Sequence, residues 1–129
     1  MGNDFNGENL NFCDINCSRD YKNEIFNDGF AMTSPVASFP NGQSWVGIYD
    51  MAGNVSEWTA NGIYSYNPEA DWSEQGFVSV ETDPNPGYQK VVRGGSWNNT
   101  SRFARTAHRA FPAPEEQSEF VGFRCAISP

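Results

Sequence analysis

The sequence predicts a single irregular domain of short strands and long loops, with little helix. Three observations carry that reading. Leucine occurs once, at Leu10, and methionine three times, so the strong apolar helix formers are nearly absent. Aromatic residues reach 15% of a chain that is 38% hydrophobic, which points to a core of rings and away from disorder. Twelve glycines and eight prolines in 129 residues cut the apolar runs short. A chain of this length supports one domain with a modest core.

The elements follow in order. Residues 1–30 read as turns (NG, NDG) with isolated aromatic anchors. Residues 33–58, "TSPVASFPNGQSWVGIYDMAGNVSEW", hold short apolar runs broken by Pro-Asn-Gly and Ala-Gly-Asn. Residues 59–89 read as one long polar loop dotted with aromatics, and a loop of that length needs a function or a bound ion to hold it. "KVVRGG" and "VGFRCAI" then read as short strands, Val-rich or aromatic, bounded by Gly or Pro. There is no internal repeat and no linker.

Charge is divided along the chain. Residues 1–90 hold thirteen acids and three bases, residues 91–129 three acids and five arginines, for a net −8 overall. That balance argues against a nucleic-acid binder and fits an acidic protein that uses carboxylates for calcium. No membrane insertion and no signal peptide are expected. Cys13 and Cys17 lie four apart, and Cys125 sits in an apolar run. One local disulfide plus a buried thiol, or three free thiols, both fit. The redox compartment stays open, with an extracytoplasmic or secreted location favoured.

"YDMAGNVSEW" places Asp50 and Glu57 around Ala52-Gly53-Asn54, where a glycine turn aims carbonyls inward beside two carboxylates. That mix of hard oxygens suits calcium. "NDGF" offers a second Asp-Gly turn at Asp28, and Asn11 could add an amide oxygen. The alternative is that these carboxylates cap turns through backbone N–H groups.

Taken in order, "GIYDMAGNVSEW", "VVRGGSW" and "VGFRCA" resemble the bacterial signature of the formylglycine-generating-enzyme (sulfatase-modifying-factor) domain family. One departure is Ser56, where that family generally has Trp. The resemblance implies an α+β, irregular C-type-lectin-like fold over residues 1–129, matching only the C-terminal half of a usual family domain. It also implies two calcium sites. One would use the side chains of Asn11 and Asp28 with the carbonyls of Phe12 and Phe30. The other would use the side chains of Asp50 and Glu57 with the carbonyls of Gly53 and Val55.

Catalytic members of the family oxidise a substrate cysteine with two copper-binding cysteines downstream of Gly-Gly-Ser. Between Gly95 and Gly122 this chain has no cysteine, so neither that chemistry nor copper is expected. Ser101 and His108, seven apart on an extended segment, are not expected to form a nucleophile–base pair. What remains is binding. Trp97, Asn98, Asn99, Ser101, Arg102 and Phe103 mix aromatic anchors, amides and arginine as adaptable recognition surfaces do. The window also resembles the variable proteins of diversity-generating retroelements. Arg93 and Arg124, inside the signature motifs, are expected to be structural. The expectation is a non-catalytic, calcium-stabilised recognition or accessory domain that binds a protein or other ligand through residues 97–109. Its rival is a subunit or fragment of a related oxidoreductase, completed by a partner chain that supplies the missing half.

Overall fold

The computed structural model describes residues 5–62 and 90–126. Regular structure within them is sparse, as the composition predicts: two single 3-10 turns, Gly7–Asn9 and Pro40–Gly42, and four strands. We number these β1 (Ser56–Gly62), β2 (Lys90–Arg93), β3 (Arg109–Ala110) and β4 (Val121–Gly122). They form one sheet in the order β3-β2-β1-β4, with β1 antiparallel to β2 and parallel to β4.

Two sequence expectations change here. The loop read over residues 59–89 begins later, because Thr59–Gly62 continue β1, and the Thr59 hydroxyl donates to the Val91 carbonyl across the pair. The rest of that loop, from residue 63, lies outside the described residues. Among the described residues of "VGFRCAI" only Val121 and Gly122 are strand; Phe123 to Ala126 leave the sheet exposed.

The core is built from rings. Leu10, Phe12 and Ala104 are buried together, with Phe26 and Ala52 packed against them. Phe5, Phe12 and Phe26 meet edge-to-face at centroid distances of 5.1, 5.7 and 6.0 Å, geometry that aromatic quadrupoles favour. A second pair, Trp97 on Phe120 at 5.3 Å, fastens the 94–104 segment to the chain entering β4.

With so few regular elements, backbone-to-loop hydrogen bonds hold the segments in place, and the Met51–Asn54 turn is their hub. Gly53 has φ +77°, and a Cβ on it would lie 2.2 Å from the Asn11 carbonyl oxygen, so only glycine fits. Gly53 donates to the Gly94 carbonyl, Asn54 donates to the Asn11 carbonyl, and Trp97 donates to the Asn54 carbonyl. The buried Asn54 amide group also exchanges two bonds with the Ser34 backbone, at 3.1 and 3.2 Å. The motif "MAGN" therefore joins residues 11, 34, 94 and 97.

Cys13 and Cys17 form a disulfide across a five-residue turn. Cys125 is free and exposed, which corrects the buried thiol that its apolar neighbours suggested. The apolar run around it leaves the sheet after Gly122.

Candidate cation sites and recognition face

The first predicted ligand group gathers around Asp28. Asp28 Oδ1 accepts the Phe30 N–H at 2.8 Å, and Oδ2 accepts the Phe12 N–H at 3.1 Å. Turn capping, the alternative to metal ligation, is therefore present at this carboxylate. Asn11, 1% exposed, donates its amide N–H to the Met32 carbonyl at 2.7 Å, while its Oδ1 is buried with no hydrogen-bond partner. An orphaned buried acceptor is costly, and a hard cation would relieve it. On that observation the Asn11–Asp28 residues fit calcium.

Asp14 was not foreseen at this site. It is fully buried, and its carboxylate accepts the backbone N–H groups of Asn16 and Asp28 and the side-chain amide of Asn16. Burial, opposed by the two backbone donors and aided by the neighbouring Asp14 charge, raises the Asp28 carboxyl to about 6. The only hint in the sequence was an Asp-x-Asn inside the short Cys13–Cys17 loop.

The second predicted group is arranged differently. Glu57, at the start of β1, is gripped by Arg124: Nε donates to Oε2 at 2.6 Å and Nη2 donates to Oε1. The same guanidinium donates to the Tyr49 carbonyl at 3.0 Å and the Asp50 carbonyl at 3.1 Å. Asp50, at φ +54°, turns its carboxylate to the Ala37 N–H at 2.9 Å. Gly53 presses on Asn11, and Val55 packs beside Gly122. Both Glu57 oxygens are thus held by a cation, whereas the Asp28 oxygens accept only neutral backbone N–H groups, so this loop does not fit calcium as the first group does. Among the described residues, no cluster brings three His, Cys, Asp or Glu side chains together. Arg93, half-buried on β2, is the register partner of Glu57.

The predicted recognition segment divides into floor and face. Trp97 is 5% exposed, packed on Phe120, with its indole N–H directed at the Glu119 carbonyl at 3.4 Å. This corrects its place as a surface anchor: it belongs to the floor. Asn99 is half-buried, and its side chain is turned to the backbone. Its Oδ1 accepts the Ser96 N–H at 2.8 Å and the Ser96 hydroxyl at 3.2 Å, closing the turn after Gly-Gly-Ser. The Asn99 carbonyl accepts the Cys13 N–H at 2.9 Å. Asn98 is held by Arg19 Nε at 2.8 Å and by the Tyr21 hydroxyl, two partners that sequence spacing could not reveal. Ser101 is half-buried. Arg102 and Phe103 are exposed, the guanidinium 5.7 Å from the Phe103 centroid, and His108 lies against the same ring at 5.1 Å. Burial and the nearby Arg105 charge push the His108 imidazole below its usual range.

Beside this face a cleft of about 380 Å³ opens between the sheet and the 110–121 segment. Asn98, Asn99, Ser56, His108, Phe111 and Phe120 are among its walls, so uncharged hydrogen-bonding groups alternate with rings.

A small mixed sheet carrying long loops stapled to a Gly-Asn turn defines the irregular α+β fold of the formylglycine-generating-enzyme type. The chain belongs to the sulfatase-modifying factor enzyme 1-like domain family, whose model matches residues 1–129. It is 36% identical over 110 residues to the formylglycine-generating enzyme of Thermomonospora curvata, covering 79% of this chain and 33% of that protein. It is 35% identical over 112 residues to the inactive C-alpha-formylglycine-generating enzyme 2 of Mus musculus, covering 83% of this chain and 30% of the relative. Among solved structures, PvdO from Pseudomonas aeruginosa superposes with a TM-score of 0.55 at 32% identity, over 75% of this chain and 34% of that one. Treponema denticola variable protein 1, at 21% identity and a TM-score of 0.61, shares the fold. The chain spans a third or less of the length of these curated relatives.

Proposed function

We propose that the chain is a non-catalytic recognition or accessory domain, stabilised by calcium at Asn11–Asp28, that binds a protein partner through the exposed part of residues 97–109. The observation that carries this reading is the fate of the thiols. Family oxidation chemistry needs two thiolates for copper, and this chain has three cysteines, of which two are joined and the third is exposed at Cys125. The segment Trp97–Phe103, where the resemblance leads one to expect the thiols, holds none, and its Asn98 and Asn99 are engaged in structural hydrogen bonds. That a relative of similar identity carries "inactive" in its name supports the same direction. Arg102 and Phe103 supply the exposed cation and ring that interfaces favour, over a floor fixed by Trp97.

The test is site-specific photo-crosslinking in the native host. A photoreactive phenylalanine analogue at Phe103 should yield a discrete protein adduct, while the same analogue at Glu116 should not. Equal labelling from both positions, or none from either, contradicts the proposed face.

A second reading is favoured by a separate observation. Trp45, Ile25, Val36 and Phe123 are 97, 85, 81 and 77% exposed, a large apolar surface for so small a domain. Such side chains are what a completing polypeptide would cover, in keeping with an oxidoreductase subunit or fragment. Native mass spectrometry separates the two: an obligate hetero-complex supports completion, and a stable monomer removes it.

A further inference from the structure

We infer that the 50–57 loop carries its own cation: the guanidinium of Arg124 occupies the place where the family resemblance implies a second calcium ion, and that loop binds no calcium. The proposal concerns a different site from the calcium at Asn11–Asp28 and does not depend on it.

A cation in this loop has two tasks. It must balance the Glu57 carboxylate, whose side chain of the pair is only 20% exposed. It must also satisfy the Tyr49 and Asp50 carbonyls that lie within reach of the same group. Arg124 does both. Its fork meets the carboxylate with two parallel bonds, the arrangement that planar guanidinium and carboxylate groups share. Its remaining donors reach the carbonyls of Tyr49 and Asp50. Four N–H bonds are thus directed at one small group of oxygens.

Sheet register explains how Arg124 arrives there. Gly122 of β4 is the register partner of Glu57 on β1, and Arg124 follows two residues later as the chain leaves the sheet. On the other side of β1 the register partner of Glu57 is Arg93. The carboxylate therefore sits between two arginine-bearing chain segments. Calcium requires about six to eight oxygens at about 2.3–2.6 Å. To gather them here it would have to displace Arg124 from both Glu57 oxygens and remain beside the displaced positive charge. Of the other predicted carboxylate, one Asp50 oxygen accepts the Ala37 N–H.

The experiment counts calcium ions bound by wild type and by Glu57→Gln, using isothermal titration calorimetry on chelator-stripped protein. Equal counts support the proposal, whether one or none. A count of none in both would sink the Asn11–Asp28 calcium site while leaving this inference standing. A loss of one ion in Glu57→Gln overturns it. Should the single variant not fold, the same count is made on Glu57→Gln combined with Arg124→Met, which removes both charges together. A second readout is the coupling of the two residues in thermal melts. The double variant should lose less than the sum of the single losses, by the same margin in calcium and in chelator. A coupling that disappears when calcium is added would mean that the ion replaces Arg124, and would equally overturn the proposal.

Discussion

Replacing Asn99 with alanine removes one acceptor atom that serves two donors of Ser96, a residue 1% exposed. In the variant the Ser96 N–H and hydroxyl lose that acceptor at the wall of the cleft that Ser96 and Asn99 share. Each lost bond costs about 1 kcal/mol net, and a buried donor left without a partner costs about 1–3 kcal/mol. The hydroxyl can turn toward another acceptor while the amide cannot, so the sum is about 2–4 kcal/mol. For a domain of this size that lowers the melting temperature by roughly 6–16 °C. Arg102→Ala, by contrast, removes an exposed side chain whose contact with Phe103 contributes about 1 kcal/mol or less. It should move the melt by no more than about 4 °C. The assay is circular-dichroism melting at fixed calcium, with Asn99→Asp as control, since aspartate keeps the accepting oxygen and should recover most of the loss. If Asn99→Ala melts with wild type while Arg102→Ala collapses, floor and face have been placed the wrong way round.

Three further outcomes are expected. Phe12→Ala empties the centre of the Phe5–Phe12–Phe26 cluster and should cost about 3–5 kcal/mol by denaturant unfolding; a cost below about 1 kcal/mol would mean that the cluster does not form. Chelation should lower the melting temperature of wild type but not of Asp28→Asn, because a ligand present at a hundred times its dissociation constant adds about 2.7 kcal/mol; identical melts of wild type with and without chelator would count against calcium at Asn11–Asp28. In chelator, the Asp28 carboxyl raised to about 6 favours the folded state while protonated. Its contribution is present below about pH 4 and lost as pH rises through about 6, so wild type should lose stability relative to Asp28→Asn across that interval, and a constant difference would refute the raised value.

The architecture was legible because composition limits it. One leucine, many rings and frequent Gly and Pro leave little besides short strands and loops, and "KVVR" was readable as a strand from its β-branched pair. The motif "MAGN" was legible as a turn, and Gly53 does sit at positive φ. What spacing could not provide were partners distant in sequence. Trp97 reads equally well as an interface anchor or as a core ring, and its burial depends on Phe120, 23 residues away and packed on it. Asn99 looks like an exposed amide until the Ser96 turn closes on it. Arg124 was expected to be structural from its place in the motif, but its grip on Glu57 depends on the parallel pairing of β4 with β1, across 67 residues, which spacing could not provide. Asp14 carries no motif of its own and enters only because the Cys13–Cys17 turn points it at the Asp28 backbone.

The central claim, that this family member recognises without oxidising, is tested most directly by mass spectrometry of a cysteine-containing sulfatase-type peptide. The peptide is incubated with the purified protein, copper(I) and oxygen. The account predicts that the cysteine is recovered unconverted at every copper concentration, because Cys13 and Cys17 are bonded to each other and Cys125 stands alone. Copper-dependent appearance of formylglycine in the peptide would contradict it.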